Sequence, residues 1–268
     1  MPAPSPDKDF PWWLLILTGI GAVMLGRILS DAVYAQVLAT LSKGIGLTLF
    51  VTVVAFALAS GLGLLLALAG SARWIVVRQA ARFYVEVIRG VPIIVLLLYM
   101  AFVVAPMGVA AWNAVVTGPL GLEPLLTRDL SLLWRAILAL TIAYSAFLSE
   151  VFRAGLQSVG RGQIEAAESL GLNRWLRFRL VVLPQAFRTI LPPLGNDFVA
   201  MVKDSSLVSV LGVTDITQLG KVAAASNFRY METYNVVALI YLAMTVTLSL
   251  ALRKLEARLR RRGGGQGG

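Results

Sequence analysis

The sequence predicts an all-α, polytopic integral membrane protein with six transmembrane helices. Three observations carry that prediction. Of 268 residues, 58% are apolar and 14% charged, whereas soluble domains run near half apolar and a quarter charged; the mean hydropathy is +0.78. Six stretches are apolar over about the 20 residues that a bilayer requires. The segments between them alternate in charge. The same composition excludes other classes. The chain has no Cys and no His, which removes disulfide scaffolds, thiolate or imidazole metal sites, Cys nucleophiles and His-based triads.

Each element follows in order. Residues 1–11 form a Pro-rich tail with Asp7, Lys8 and Asp9. A secretory signal starts with a basic segment, so residues 12–30 read as a retained first span, with Arg27 near its far end. Residues 44–70 carry no charge. Ala55, Ala59, Gly63 and Ala67 recur there every fourth position, a stripe that lets helix backbones approach closely in lipid. Its expected use is packing within the chain, with a subunit interface as the alternative. Residues 90–122 are uncharged, and Pro106, Gly108, Gly118 and Pro119 predict that the helical part is confined to 82–105. Residues 132–156 are apolar between Arg135 and Glu150. Residues 185–212 are interrupted by Arg188, Pro192, Pro193, Asp197, Lys203 and Asp204, so the fifth span is expected to be irregular. Residues 233–252 are uncharged and form the last span; 253–268 is a basic and then Gly-rich tail.

Orientation follows from the loops. Arg73, Arg78, Arg82 and Arg89 against Glu86 leave 71–89 positive, as Arg161, Arg174, Arg177 and Arg179 against Glu165 and Glu168 leave 157–184. The tail 253–262 holds five Arg and one Lys against Glu256. The alternate segments 31–43, 106–131 and 213–232 are neutral or slightly negative. The positive-inside rule then places both termini and loop 157–184 in the cytoplasm. The formal net charge of +10 therefore implies membrane lipid, with its anionic headgroups, as the partner and requires no nucleic acid.

Loop 157–184 is the most informative stretch. Gly160 and Gly162 precede a short helix-forming run, Gly171 suits a helix C-terminus, and Asn173 suits the N-cap of a second, basic helix up to Arg179. Pro184 starts the next span. Glu165-Ala166-Ala167, three residues, Gly171, nine residues, then Val181-x-Leu183-Pro184 resembles the EAA motif of ABC importer permeases, with Val181 in place of Ile. The resemblance implies that Glu165, Ala166, Ala167, Gly171 and Leu172 couple to an ATPase, Ala166 and Ala167 giving a smooth face for close approach.

Further stretches are similar to the polar amino-acid branch of that family. They are Glu86-Val-Ile-Arg89-Gly90-Val91-Pro92, Ala143-Tyr144 through Glu150 to Gly155, Gly195-Asn196-Asp197-Phe198, and Lys203-Asp204-Ser205-Ser206-Leu207-Val208-Ser209. Together they cover about 44–252 and imply a five-helix permease core, with the 12–30 helix as an addition. Val91 and Leu96 stand where relatives often carry Thr and Gln. The resemblance further implies a second permease copy or a similar permease, an ABC ATPase dimer on the cytoplasmic side, and an extracytoplasmic amino-acid-binding protein, all in a bacterial inner membrane. No cofactor is implied for this chain. It lacks the G-x-x-x-x-G-K-[ST] phosphate loop, so ATP belongs to the partner and the chain is not itself an enzyme.

Charges inside a span are costly and commonly line polar paths. Asn196 and Lys203 are seven residues apart and share a helical stripe; Asp197 and Asp204 share the adjoining one. A zwitterionic amino acid needs a cation for its carboxylate and an acceptor for its ammonium, which Lys203 and Asp197 could supply. The alternative is that Lys203 pairs with an acid and holds helices together, and Asp204 reads equally as structural. With these four, the resemblance marks Ser205, Ser206 and Gly90 as substrate-contact residues. Glu150–Arg153 and Glu86–Arg89, each three apart, are expected to pair along their helices. Other readings remain open: a permease for another solute such as methionine or an osmolyte, or a membrane receptor or anchor. A Ser206–Lys203 hydrolase would need an oxyanion motif that the sequence lacks.

Overall fold

In the computed structural model, which describes residues 12–263, every regular element among the described residues is helical. Helix α1 (Trp12–Ser30) ends at Asp31, whose Oδ1 accepts the Val33 N–H at 2.8 Å and caps α2 (Ala32–Ser42). Helix α3 (Ile45–Gly70) follows directly. Helix α4 (Ile75–Gly90) occupies most of what the sequence suggested as a loop. After a break at Val91-Pro92 a single helical rod runs through α5 (Ile93–Tyr99), a π-turn (Met100–Val104), α6 (Ala105–Trp112), a second π-turn (Asn113–Thr117) and α7 (Gly118–Leu120). Helix α8 (Leu132–Gln157) precedes α9 (Arg161–Ser169) and α10 (Arg174–Arg177). A third π-turn (Phe178–Val182) leads into α11 (Leu183–Asp204), which tightens into a 3-10 segment (Ser205–Leu211). Helices α12 (Ile216–Asn227) and α13 (Tyr230–Gly263) complete the chain. The expected tails 1–11 and 264–268 lie outside the described residues.

Among the described residues four helical runs are long and apolar enough to cross a membrane: Ala32–Gly70, Ile93–Leu120, Leu132–Gln157 and Tyr230–Arg258. Helix α1 holds a shorter apolar run, Leu15–Ser30. Helix α11, at 22 residues, has the length but carries Arg188, Asp197, Lys203 and Asp204.

Two expectations about proline are corrected. Pro106 does not stop the third helix near 105, and Pro192 and Pro193 do not interrupt α11. The π-turns explain Pro106. A proline lacks an N–H and its ring crowds the carbonyl four residues back. Widening the helix by one residue moves that carbonyl aside. The residue before each of Pro106, Pro119 and Pro184 donates instead to the carbonyl five back: Ala105 to Met100, Gly118 to Asn113, Leu183 to Phe178. At Pro106 this leaves the Ala101 carbonyl without a helical donor. The Arg135 guanidinium fills it at 3.0 Å and also binds the carbonyls of Leu130 and Thr127. Arg135 is only 7% exposed, and these three carbonyls engage each of its three side-chain nitrogens, with no ion pair among the described residues.

The core is the α3–α8 pair. Ala55, Ala59, Gly63 and Ala67 are all buried, as the stripe predicts for packing within the chain. A Cβ on Gly63 would lie 3.0 Å from both the Leu148 Cβ and the Ser145 carbonyl oxygen, so contact at this depth needs glycine. Thr48 and Thr52, buried on the same helix, return their hydroxyls to the carbonyls four residues back. Tyr84 ties α4 to α8, donating to the Ile142 carbonyl at 3.2 Å and sharing a hydrogen bond with Ser145 Oγ at 2.9 Å. A second cluster joins Tyr34, Val37 and Leu41 of α2 to Ile216, Val236 and Ile240, with Met24 and Ile28 of α1 packed against it. At this junction a Cβ on Gly44 would lie 2.6 Å from the Ile216 nitrogen. Asp215 caps α12 through the Gln218 N–H. Burial pushes its carboxyl up, and the backbone N–H groups of Gln218 and Thr217, the Tyr241 hydroxyl and Lys221 oppose that shift.

Candidate functional site: a polar stripe on α11 and an exposed helical loop

Helix α11 carries its polar residues on two faces. Asn196 and Lys203 are exposed, and Asp197 is half-buried. Lys203 makes no ion pair or hydrogen bond with Asp197 or Asp204 among the described residues. Asp204 instead accepts the Tyr144 hydroxyl of α8 at 2.7 Å. The neighbouring residues therefore part: Asp204 turns toward α8, Lys203 away from the fold. Ser205 is buried and donates to the Val202 carbonyl at 2.7 Å, which closes the end of α11. Ser206 is half-buried, and its carbonyl accepts the Ser209 hydroxyl.

The end of α4 joins this region through aromatic rings. Arg89 does not pair with Glu86, contrary to their spacing. Its guanidinium sits 5.9 Å from the Phe147 ring centroid, a cation–π seat. Phe147 in turn lies 6.2 Å from Tyr144. Phe198, beside Asp197, packs edge-on to Phe56 at 5.0 Å. Gly90, the last residue of α4, is exposed, and a Cβ there would meet nothing within 4 Å. Helices α4, α8 and α11 are thus linked by a chain of contacts from Arg89 through Phe147 and Tyr144 to Asp204, while Lys203, Asn196 and the half-buried Asp197 lie on α11 itself. Arg89 is the member that sequence reasoning missed. Its Glu86 neighbour suggested a local ion pair, and the aromatic seat 58 residues away carries no local signal. The Glu150–Arg153 pair does form. Among the described residues no three His, Cys, Asp or Glu side chains converge on a metal site.

The 157–184 loop is two helices joined by a tight turn, as its spacing predicts. Gly171 adopts φ 74°. Its N–H bonds to the Glu168 carbonyl at 2.9 Å and the Leu172 N–H to the Ala167 carbonyl at 3.1 Å, the paired bonds of a left-handed helix stop. Asn173 Oδ1 accepts the Leu176 N–H at 2.9 Å and starts α10. Arg177 and Glu168 form an ion pair across the turn. Glu165 and Ala166 are exposed, and Leu172 is half-buried. Ala167 is buried within the loop's own packing, which corrects the idea that both alanines form an open face. Leu170 and Trp175 are the most exposed of the loop's large apolar groups, at 80% and 64%, followed by Leu180 at 58%. Large apolar side chains in a charged loop were the available signal for them.

The sequence pattern described as "binding-protein-dependent transport system inner membrane component" is matched over residues 59–262. The glutamine transport system permease protein GlnP of Escherichia coli (strain K12) is 36% identical over 220 residues, 82% of this chain and 93% of that protein. The probable amino-acid permease protein YxeN of Bacillus subtilis (strain 168) is 34% identical over 79% of this chain and 87% of its own length. A crystal structure of an amino acid ABC transporter with histidines superposes with a TM-score of 0.69 at 34% identity, covering 86% of this chain and 98% of that one. The MetNI methionine ABC transporter, at 18% identity and a TM-score of 0.63, shares the fold. The matched pattern takes in more than half of the chain, from the middle of α3 to the end of α13, and the chain belongs to the family of binding-protein-dependent transport system inner membrane components.

Proposed function

We propose that the chain is the permease subunit of a bacterial ABC importer for a polar amino acid. Arg89 or Lys203 receives the substrate carboxylate, and Asp197 and Asn196 receive its ammonium. The carrying observation is Lys203, exposed and without an acidic partner among the described residues, on one stripe with Asn196 in a helix of 22 residues. An unpaired cation in low dielectric is expensive unless an anion meets it. The relatives' names, glutamine and amino-acid permeases, support the substrate class. In this reading two copies, or this chain and a similar permease, enclose the path. Loop 157–184 faces the cytoplasm and receives an ATPase dimer through Glu165, Ala166, Leu170 and Trp175. A binding protein delivers substrate to the opposite side.

The test is uptake by proteoliposomes holding the permease, its ATPase and its binding protein, assayed with glutamine, arginine, histidine, methionine and glycine betaine. Uptake of a polar amino acid and none of methionine or betaine is expected. Lys203→Met should lower that uptake about tenfold or more, the loss of one charge-assisted contact, while the complex still assembles. Wild-type uptake of betaine alone, or full uptake by the variant, overturns the reading.

A further inference from the structure

A cavity of about 380 Å³ opens where α3 and α8 finish and loop 157–184 begins. One side is apolar, formed by Leu66 and Ala67 of α3 with Val85 of α4. The other presents Arg82 and Glu86 of α4 beside Glu150 and Arg153 of α8. Glu150 and Arg153 satisfy each other. Arg82 and Glu86 have no ion-pair partner among the described residues. One cation and one anion, a helical turn apart, are therefore left facing the space.

The register of α4 links this cavity to the site above it. Arg82, Glu86 and Arg89 recur at intervals of four and three, which puts all three on one face of the helix. On α8 the matching rungs are Gln157, Arg153, Glu150 and then Phe147, the ring on which Arg89 sits. The two helices thus frame a charged track. It begins at Arg89, seated on the Phe147 ring beside Tyr144, and ends at the mouth of the cavity. We propose that this cavity is a second, inner site for the transported zwitterion. Arg82 takes its carboxylate, Glu86 takes its ammonium, and the apolar wall takes its aliphatic stem. The volume exceeds that of one amino acid, and the free charges match one carboxylate and one ammonium. The inference rests on the permease reading and on loop 157–184 facing the cytoplasm. Its consequence is regulatory: amino acid accumulated inside occupies the inner site, obstructs release, and slows its own import.

The experiment uses the same proteoliposomes with ATP enclosed, with and without millimolar L-glutamine enclosed, or whichever member of the panel gives uptake. Each protein's rate with no enclosed amino acid serves as its own reference, so a general loss of transport does not enter the ratio. Wild type should slow severalfold when the amino acid is enclosed. Its methyl ester, which lacks the carboxylate, should slow it far less. Arg82→Gln should bring the ratio close to one, and Arg82→Lys should keep most of the inhibition. If Arg82→Gln does not assemble, Glu86→Gln serves in the same assay. Wild-type uptake unaffected by enclosed amino acid, or Arg82→Gln inhibited as strongly as wild type, overturns the inner site while leaving the permease reading intact. Absence of wild-type uptake of every panel member strikes the permease reading itself. A zwitterionic phospholipid headgroup offers similar charges; inhibition that follows the phosphatidylethanolamine content of the vesicles and ignores enclosed amino acid also overturns the proposal.

Discussion

Lys203 and Asp204 are neighbours in the chain and face different surroundings. One helical step, about 100°, turns Asp204 to the Tyr144 hydroxyl at 2.7 Å and leaves Lys203 exposed. The Tyr144–Asp204 bond holds α11 to α8 just where α11 ends and the 3-10 segment begins. Tyr144 is 4% exposed, so no water replaces the hydroxyl readily. Tyr144→Phe should cost about 1–3 kcal/mol, the penalty for leaving a partly buried acceptor short of a donor. Thermal unfolding in detergent reads this out. In the double variant with Asp204→Asn the losses should not add; strict additivity would mean that the bond contributes nothing. Lys203 answers to a different measurement, transport, because among the described residues it holds no acidic partner whose loss could unfold the chain.

Helical elements here are shaped at their ends and at their prolines. Each of Pro106, Pro119 and Pro184 is preceded by a π-turn, and the carbonyl freed at Pro106 is taken up by Arg135. Composition marked Pro106 and Pro119 as breakers, and it was right about lost hydrogen bonds but wrong about the outcome, whereas Pro184 stands at the start of α11 as its sequence position suggested. A helix in an apolar surround has nowhere else to satisfy its backbone, so it widens by one residue and continues. Gly171 shows the opposite case, in which the local signal sufficed. Its φ of 74° disfavours any side chain with a Cβ by about 1–2 kcal/mol, and most of all a β-branched one. Gly171→Val should therefore disorder the turn between α9 and α10 and weaken copurification of the ATPase. Gly171→Asn, which tolerates this conformation, should restore most of it. If the Val variant retains its ATPase in full, loop 157–184 is not the coupling element.

At the scale of the whole molecule, topology is the property that everything else inherits. The basic segments 71–89, 157–184 and 253–262 alternate with neutral ones, and the structure gathers the ends of α3 and α8 beside one cavity. The chain has no cysteine, so single thiols report sidedness cleanly. Ser226 and Ser169 are both exposed. In intact cells Ser226→Cys should react with an impermeant maleimide, and Ser169→Cys should react only after permeabilisation. The reverse pattern would invert the protein, and with it the docking side of the ATPase and the inner site.

The sequence by itself determined what depends on near neighbours in the chain. Apolar runs set the membrane class, loop charges set the expected sidedness, and Gly171 and Asn173 set the loop's turn. Each acts within about one helical turn, so the signal survives without the fold. The small-residue stripe on α3 was legible for the same reason, although its partner helix was not. The tertiary structure alone decided which polar group meets which. Tyr144 reaches Asp204 across 60 positions, Arg89 rests on Phe147, and Arg135 serves the Ala101 carbonyl 34 positions back. Sequence spacing offered nearer partners, Glu86 for Arg89 and the α11 acids for Lys203. Those pairings lost because rigid helices aim neighbouring side chains at different surroundings, and in a packed membrane bundle the direction of a side chain outweighs its distance along the chain.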